Sequence, residues 1–279
     1  MFLTLEDCIR SWKEAGQYGT KEERIARNAR WIPFYSYAAE SQLSSTAPAD
    51  SHAREVARTL VSAGILNREK TVLDVGAGTG RFSLAFGEVC GKVTALDMDS
   101  PSLAVLLNRA KANGLQNIEI ERGMWELYPA KDKFDVVFSS MCPAICDYDE
   151  LLRMEGMARE ACALMAVTRG SYDKHRKKLM RELDVHPTGM TTEALWYYDT
   201  LYLMGRQPNV VNFTQHMEYT VPVESAVERD KVYFEIFGLD PADSEHKLRD
   251  YYEANSKDGM VLDESHINTA LILWKIPKD

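Results

Sequence analysis

The sequence predicts an α/β fold, with a seven-stranded, mostly parallel sheet and helices on both faces. From Thr71 onward, short apolar runs rich in β-branched residues alternate with segments of helical periodicity, which is typical of βαβ units. The first run, Thr71–Val75, leads into a glycine turn and then a helical pattern, as a buried parallel strand would. The last run, 269–276, is predicted to be antiparallel at the end of the sheet.

Each element follows from a local pattern of apolar and turn-forming residues. The predicted strands are residues 71–75, 93–96, 118–121, 133–138, 162–167, 210–213 and 269–276. Besides the helix after the glycine turn, the predicted helices are 51–63, 101–113, 148–161, 171–183, a helix from a cap at Thr191 or Thr192 to Met204, 225–237 and 244–252. Helical insertions are therefore expected at about 169–205 and 222–255 of the main domain, residues 51–279.

Residues 1–50 are predicted to form a helical cap. Thr4 with Asp7, and Thr20 with Glu23, have the spacing of capping boxes.

An aromatic segment, residues 31–37, follows within this cap. Pro33 is expected to end the second helix near Ile32 and to leave the aromatics on irregular backbone. The segment either packs the cap onto the main domain or forms a lid in which Tyr35 or Tyr37 faces the substrate. On the lid interpretation, both tyrosines are candidate substrate-binding and catalytic residues.

Composition narrows the class of protein. The 279 residues are 45% hydrophobic and 27% charged, which is ordinary for a globular domain. The formal net charge of −9 disfavours general binding to nucleic acid, which needs a basic surface. No apolar run reaches the length of a membrane helix, and five cysteines, an odd number, favour a reducing cytoplasm.

The glycine turn indicates which ligand the sheet edge binds. Gly76, Gly78 and Gly80 stand at alternate positions, and Asp74 ends the strand before them. A dinucleotide fingerprint reads G-x-G-x-x-G and places a diphosphate on the helix N-terminus. A carboxylate at Asp74 would oppose a diphosphate but suits a ligand that carries an ammonium group.

A second acid, Asp97, ends the next strand. An acid about 20 residues beyond the turn is placed to hydrogen-bond ribose hydroxyls, and Met98 could pack beside the adenine. This spacing also suits NAD, so Asp97 alone does not select the cofactor.

The D-x-G-x-G-x-G string from Asp74 to Gly80 resembles motif I of class I S-adenosylmethionine-dependent methyltransferases. The resemblance extends from about residue 55 to 168 and implies a Rossmann-like fold, S-adenosylmethionine as the cofactor, and methyl transfer to a small-molecule acceptor. The cofactor-binding candidates are Asp74, Gly76, Ala77, Gly78, Gly80, Asp97, Met98, Gly123, Met124, Trp125, Ser139 and Ser140.

The loop after strand three covers the adenine in the family. The family commonly has an aspartate near the position of Met124, so the adenine amine here would be read by backbone or by Glu126. Trp125 either stacks on the purine or packs in the core.

The loop after strand four, residues 139–146, would hold the methyl group and the acceptor in the family. It lacks the Asn/Asp-Pro-Pro-aromatic string through which DNA and glutamine amino-methyltransferases resemble one another, which disfavours that acceptor class. Cys142 is a candidate substrate contact. With Cys146 it gives only weak support for a metal, because buried cysteines behave mostly as small hydrophobes.

A basic segment, 168–178, follows strand five. It is either a solvated helix face or a wall for a carboxylate- or phosphate-bearing substrate, with Arg169, Lys174 or Arg176 as the cation. His175 is the histidine best placed for a general base. The other histidines show no ligand spacing, so no metal site is predicted; they are His52, His186, His216, His246 and His266.

Two alternative functions stay open. A NAD-dependent oxidoreductase is disfavoured by Asp74 and by the position of the third glycine. A non-catalytic cofactor-binding module would keep the pocket without turnover.

Overall fold

The computed structural model describes residues 4–16, 20–129, 133–185 and 193–277. The strands are β1 Thr71–Val75, β2 Lys92–Asp97, β3 Ile118–Arg122, β4 Phe134–Ser140, β5 Ala158–Val167, β6 Tyr172–Asp173, β7 Asn209–Pro222, β8 Ser256–Lys257 and β9 Met260–Lys275. The helices are α1 Leu5–Gly16, α2 Lys21–Ala29, α3 Ile32–Glu40, α4 Ser51–Ser62, α5 Arg81–Gly87, α6 Ser100–Ala112, α7 Tyr148–Met157, α8 Arg176–Glu182, α9 Ala194–Leu203, α10 Val223–Glu235 and α11 Pro241–Ala254, with a 3-10 turn at Trp125–Leu127.

The sheet confirms the predicted fold class. Its strands run in the order β3-β2-β1-β4-β5-β9, and β7 pairs with β9 on the other edge of that strand. Strands β1 to β5 are parallel, whereas β9 is antiparallel to both β5 and β7. The two-residue strands β6 and β8 add short antiparallel pairings to β9.

Strands β7 and β9 are much longer than the predicted runs of 210–213 and 269–276. Val167 at the carboxyl end of β5 pairs with Thr269, so the earlier part of β9 extends past that edge of the sheet. There residues 260–268 pair with residues 214–222 of β7, and we call these two paired segments the projecting ribbon. On the other edge of β9, β6 pairs with residues 265–266 and β8 with residues 260–261. Its sequence lacks the apolar runs on which the strand predictions depended.

Helices cover both faces of the sheet because successive residues of each strand point to opposite sides. Val72 belongs to the core formed with α4, α5 and α6, and Leu73 to the core on the other face. The N-terminal helix α1 joins this second core: its fully buried Trp12 stacks on Trp196 of α9, with ring centroids 6.2 Å apart.

The N-terminal segment forms the helices α1, α2 and α3, and its aromatic residues are not on irregular backbone. Helix α2 ends at Ala29, and α3 begins at Ile32 with Pro33 in its first turn. Proline is tolerated there because the first turn of a helix needs no donor from its amide. The predicted break is therefore a change of helix.

Other boundaries also differ from the predictions. Helix α7 ends at Met157, because residues 158–161 already belong to β5. The predicted helix 171–183 is the short strand β6 followed by α8. Helices α8 to α11 fall within the two predicted insertion ranges, whereas Thr191, Thr192 and His186 lie outside the described residues.

None of the helices in the described ranges combines the length and the hydropathy that crossing a bilayer requires.

Candidate active site

A cavity opens at the carboxyl ends of strands β1 to β4. Such crevices are where open α/β sheets bind ligands. The predicted site residues that line it are Tyr35, Gly76, Gly78, Asp97, Met98, Gly123, Met124, Trp125, Ser140 and Cys142. Sequence analysis did not assign the other lining residues firmly, and these are Asn28, Val75, Leu96, Ser102, Glu126, Met141, Pro143 and Ala144.

The glycine turn makes the floor of this cavity. Gly78 has φ +53°, and an added Cβ there would meet no atom within 4 Å, so the turn leaves open space beside its backbone. Gly76 has φ +74°, and a Cβ there would lie 2.7 Å from the Sγ atom of Cys142. Gly78 therefore leaves space for a ligand, and Gly76 lets the loop after β4 approach the turn.

Gly80 has a packing role instead. It lies outside the cavity lining, adopts φ +86° before α5, and would place a Cβ 2.5 Å from Cγ of Leu106 on α6. Only glycine allows these two helices to pack this closely.

Asp97 connects the end of β2 to the turn. Its Oδ2 accepts a hydrogen bond from the Gly78 amide at 2.8 Å, and its Oδ1 accepts one from the Asp99 amide at 2.8 Å. An ionised carboxylate has about four acceptor positions, so this group can still accept from a ligand. Burial raises the pKa of Asp97, which marks it as a carboxylate that a donor-bearing ligand would stabilise.

Asp74 is buried beneath the turn and lies outside the cavity lining. Its Oδ2 accepts a hydrogen bond from Ser83 Oγ at 2.5 Å, and burial raises its pKa to about 7. It ties β1 to the first turn of α5, so its contact with a cofactor ammonium group stays a prediction. Two other cofactor candidates, Ala77 and Ser139, are also outside the lining, and Ser139 Oγ donates to the carbonyl oxygen of Val75 at 3.1 Å.

Asn28 of α2 is a polar cavity residue for which the sequence held no local signal. Its Nδ2 donates to Oε1 of Glu126 at 2.5 Å, and both residues are only 2% exposed. Its Oδ1 is buried and has no hydrogen-bond partner among the described residues. A buried acceptor without a donor is costly, so this atom suits a donor on a bound ligand.

Trp125 lies in the loop after β3 and is held in place by Arg153 of α7. The guanidinium of Arg153 lies 4.5 Å from its ring centroid and donates to the carbonyl oxygens of Trp125 and Tyr128. The indole is 3% exposed and still lines the cavity. Both predicted roles, core packing and ligand contact, are compatible with this position.

Tyr35 brings the cap to the cavity. Its ring stacks on Trp31 at 5.7 Å, and the neighbouring Ser36 Oγ donates to Oδ1 of Asp99 at 2.5 Å. Burial, with smaller effects of Cys142 and Asp97, raises the pKa of Tyr35. The phenol is therefore neutral at physiological pH and is available as a hydrogen-bond donor.

Cys142 lies in the loop after β4, against Gly76. Burial raises the pKa of its thiol to about 12. The thiolate is the reactive form of cysteine, so this environment argues against nucleophilic chemistry.

The remaining candidates lie away from the cavity lining. Tyr37 faces Glu228, Arg229 and Asp230 of α10, whose charges affect its pKa after the raising effect of burial. The side chain of Arg169 is 86% exposed, near Glu193, and Lys174 is half-buried beside β9, where its amide donates to Glu264.

His175 is buried in the insertion. Its Nδ1 lies 3.1 Å from the Tyr251 hydroxyl and its Nε2 lies 2.9 Å from the carbonyl oxygen of Leu262. Both ring nitrogens lie at hydrogen-bond distance from protein oxygen atoms, so the geometry does not support the predicted role of His175 as a general base.

Fold and cavity together define an α/β protein with a ligand-sized crevice at the carboxyl ends of its parallel strands. A family profile described as a methyltransferase domain matches residues 66–186. The solved structure of YcgJ from Bacillus subtilis superposes with a TM-score of 0.50 at 15% identity, covering 82% of this chain and 100% of that one.

Curated relatives match the same region. A release factor glutamine methyltransferase from Aliivibrio fischeri is 32% identical over 109 residues, or 37% of this chain and 38% of the relative. The methyltransferase YcgJ of Bacillus subtilis is 28% identical over 97 residues, or 32% of this chain and 38% of the relative. The match thus spans little more than a third of each relative. Over residues 66–186 the chain is therefore similar to a methyltransferase domain.

Proposed function

We propose that the protein transfers a methyl group from S-adenosylmethionine to a small-molecule acceptor. The observation that carries this proposal is the union of the open glycine turn with Asp97 in one cavity. The backbone at Gly78 leaves room for the ligand, and Asp97 accepts from ribose hydroxyls.

The side chains of the cavity suit the adenine of the cofactor. Met98 and Trp125 offer apolar and aromatic surface for the purine. The Oδ1 atom of Asn28 is a buried acceptor that matches the exocyclic amine of adenine, which is the role that the resemblance left to backbone or to Glu126.

The chemistry asks little of ionisable side chains. The sulfonium makes the methyl group electrophilic, so the cofactor brings the reactivity when it is bound. The chain aligns the acceptor and excludes water. Tyr35, Met141 and Cys142 line the cavity beside the turn, and the neutral phenol of Tyr35 orients the acceptor through a hydrogen bond.

A small molecule fits this site better than a protein glutamine does. Similarity to a release factor glutamine methyltransferase suggests a protein glutamine as the larger alternative acceptor. The loop after β4 reads Ser139-Ser140-Met141-Cys142-Pro143 and lacks the Asn/Asp-Pro-Pro-aromatic string. Cap helix α3 also packs on α10 through Trp31 and Tyr233, beside the cavity.

An anionic group on the acceptor would be recognised by Arg176, which lies outside the cavity lining but packs on the cap helix beside it. Its guanidinium lies 4.2 Å from the ring centroid of Tyr233 and 5.4 Å from that of Phe34, on the cap helix that carries Tyr35. Its Nε is 3.3 Å from Oδ1 of Asp230, which holds the head group in place. Arg169, which projects into solvent, is the natural comparison.

Titration calorimetry and turnover test the proposal together. We expect S-adenosylhomocysteine to bind and NAD(H) not to bind. We also expect S-adenosylhomocysteine to form from S-adenosylmethionine with an acceptor from a panel of anionic and neutral amines, phenols and thiols. Binding of NAD(H) alone would overturn the assignment, and cofactor binding without turnover on the panel would favour a non-catalytic module.

The acceptor class is tested with arginine variants. Arg176→Lys keeps a charge for Asp230 but loses the planar head group, so KM for an anionic acceptor should rise while the affinity for S-adenosylhomocysteine is unchanged. Arg169→Lys is the matched control and should change neither. An unchanged KM in Arg176→Lys would remove this residue from the acceptor site.

A further inference from the structure

The projecting ribbon brings together two histidines that are 50 residues apart in sequence. His216 of β7 stands directly opposite His266 of β9 in the antiparallel register. Directly opposite residues share one face of a ribbon, and residues two apart on one strand share that face as well. Glu264 therefore joins the pair on the same face. Local spacing along the chain could not reveal this group.

The three side chains present their ligand atoms to one point. Nδ1 of His216 lies 3.1 Å from Nε2 of His266, and Oε1 of Glu264 lies 3.4 Å from the same Nε2. All three side chains can supply an atom within 4.8 Å of the others. Zinc bound tetrahedrally at about 2.0–2.1 Å separates its ligand atoms by about 3.3 Å. The two spacings around Nε2 of His266 lie near that value.

Charge on this face also favours a cation. Glu218 stands directly opposite Glu264, one rung beyond the histidine pair. Like charges directly opposite each other destabilise a pair of strands. A divalent ion bound by Glu264 would offset this repulsion.

The three side chains are accessible to solvent, and contacts on both faces of the ribbon hold its strands in place. His216 is exposed, and the side chains of His266 and Glu264 are 43% and 32% exposed. One rung away, Thr214 Oγ1 donates to Oδ1 of Asn268 at 2.8 Å. The opposite face of the ribbon carries Val221 and Val261, which pack in the core with α10 and α11.

We propose that His216, His266 and Glu264 form a binding site for a divalent transition-metal ion of the zinc type on the outer face of the projecting ribbon. Two imidazoles and a carboxylate are ligands that Zn²⁺ accepts, with water at the remaining position. The ion joins β7 to β9 where the ribbon has left the main sheet. This site is independent of the cofactor cavity.

Metal titration of the untagged 279-residue chain tests the site. With Zn²⁺ alone we expect one ion per chain, and with Co²⁺ we expect visible absorption typical of a tetrahedral nitrogen and oxygen site, without the charge-transfer band of a thiolate. His216→Ala and His266→Ala should each weaken Zn²⁺ binding at least tenfold, and Glu264→Gln should weaken it as well. His246→Ala, which removes an exposed histidine of α11, is the matched control and should not change it.

Binding of S-adenosylhomocysteine to each variant serves as the check on folding, since none of these residues lines the cavity. Unchanged Zn²⁺ affinity in the His216→Ala His266→Ala double variant would overturn the site. A thiolate band would reassign the ion to cysteine, and one ion per two chains with dimer formation would replace the single-chain site with an intermolecular one. Each of these results against the metal site leaves the methyl-transfer proposal untouched, because the two sites share no residue.

Discussion

The Oδ2 atom of Asp97 accepts a hydrogen bond from the amide of Gly78 at 2.8 Å, so the end of β2 fixes the shape of the turn after β1. The two residues are 19 positions apart in sequence and line the same cavity. This contact unites the two features from which the cofactor was predicted. A ligand bound against the turn would therefore also lie beside Asp97.

Asp97→Ala is expected to weaken binding of S-adenosylhomocysteine while the fold survives. Loss of hydrogen bonds between a charged group and ligand hydroxyls should cost about 1.5–3 kcal/mol, or roughly 10- to 150-fold in Kd. Calorimetry measures the change, and Asp243→Ala, at an exposed position of α11, is the control. An analogue without ribose hydroxyls should bind both proteins alike; if it loses affinity in parallel, Asp97 acts only through the turn.

Gly78→Val is expected to abolish cofactor binding more completely than Asp97→Ala does. A β-branched side chain disfavours φ +53° and occupies the open space beside the turn. Gly114 offers a close control, because it has φ +69° with nothing within 4 Å of an added Cβ and lies outside the cavity. Gly114→Val should lower the melting temperature without changing Kd. Persistent binding in a folded Gly78→Val protein would show that the turn does not contact the cofactor.

Asn28→Ala should reduce discrimination between adenine and hypoxanthine. The buried Oδ1 of Asn28 accepts from an amine, and hypoxanthine carries a carbonyl oxygen in place of that amine. Loss of one such hydrogen bond costs about 1 kcal/mol, or about fivefold in Kd. Calorimetry with S-adenosylhomocysteine and its inosine analogue gives the ratio for each protein. Asn108→Ala, which removes a cap contact to the Leu43 carbonyl away from the cavity, should keep the wild-type ratio, and so would Asn28→Ala if the amine is read elsewhere.

Asp74 should make stability fall as pH rises. Burial raises its pKa from 3.8 to about 7, so between these values the folded state holds a proton that the unfolded state has released. The free energy of unfolding then decreases by about 1.4 kcal/mol per pH unit over that window, and the effect is complete above about pH 7. Urea denaturation from pH 5 to 8 measures the slope.

Asp74→Asn should flatten this slope. Asp135→Asn is the control: although burial opposes it, hydrogen bonds from Arg159 and Thr71 lower the pKa of Asp135, so its own effect falls below pH 4. A slope that is the same in wild type and Asp74→Asn would show that Asp74 does not titrate in this range.

Sequence analysis predicted what depends on local pattern. The glycine turn, the acid after β2 and the alternation of strands with helices are each written within a few residues, so the sheet and most of the cavity floor followed. Asn28 could not be found in this way, because only the docking of α2 places it beside Glu126, 98 residues away. The opposition of His216 and His266 likewise depends on a long ribbon without apolar runs, and the engagement of His175 depends on Tyr251 of α11.

The cap is expected to respond to the cofactor at α3 and not at α1. Tyr35 lines the cavity, and the hydrogen bond from Ser36 to Asp99 connects α3 to the start of α6, next to Asp97. A bound ligand should therefore stabilise residues 31–41 against opening, as lids order when a site is filled. Helix α1 packs through the fully buried Trp12 on α9 and serves as the internal control.

Hydrogen exchange with and without S-adenosylhomocysteine measures this response. Amides of residues 31–41 and of the glycine turn should gain protection, while those of α1 stay constant. Exchange in residues 31–41 that is already slow and unchanged by ligand, together with a response in the turn, would make the cap a permanent structural element. Tyr35 would then be a fixed wall of the cavity, because a site that does not close needs no ordering of α3 to exclude water.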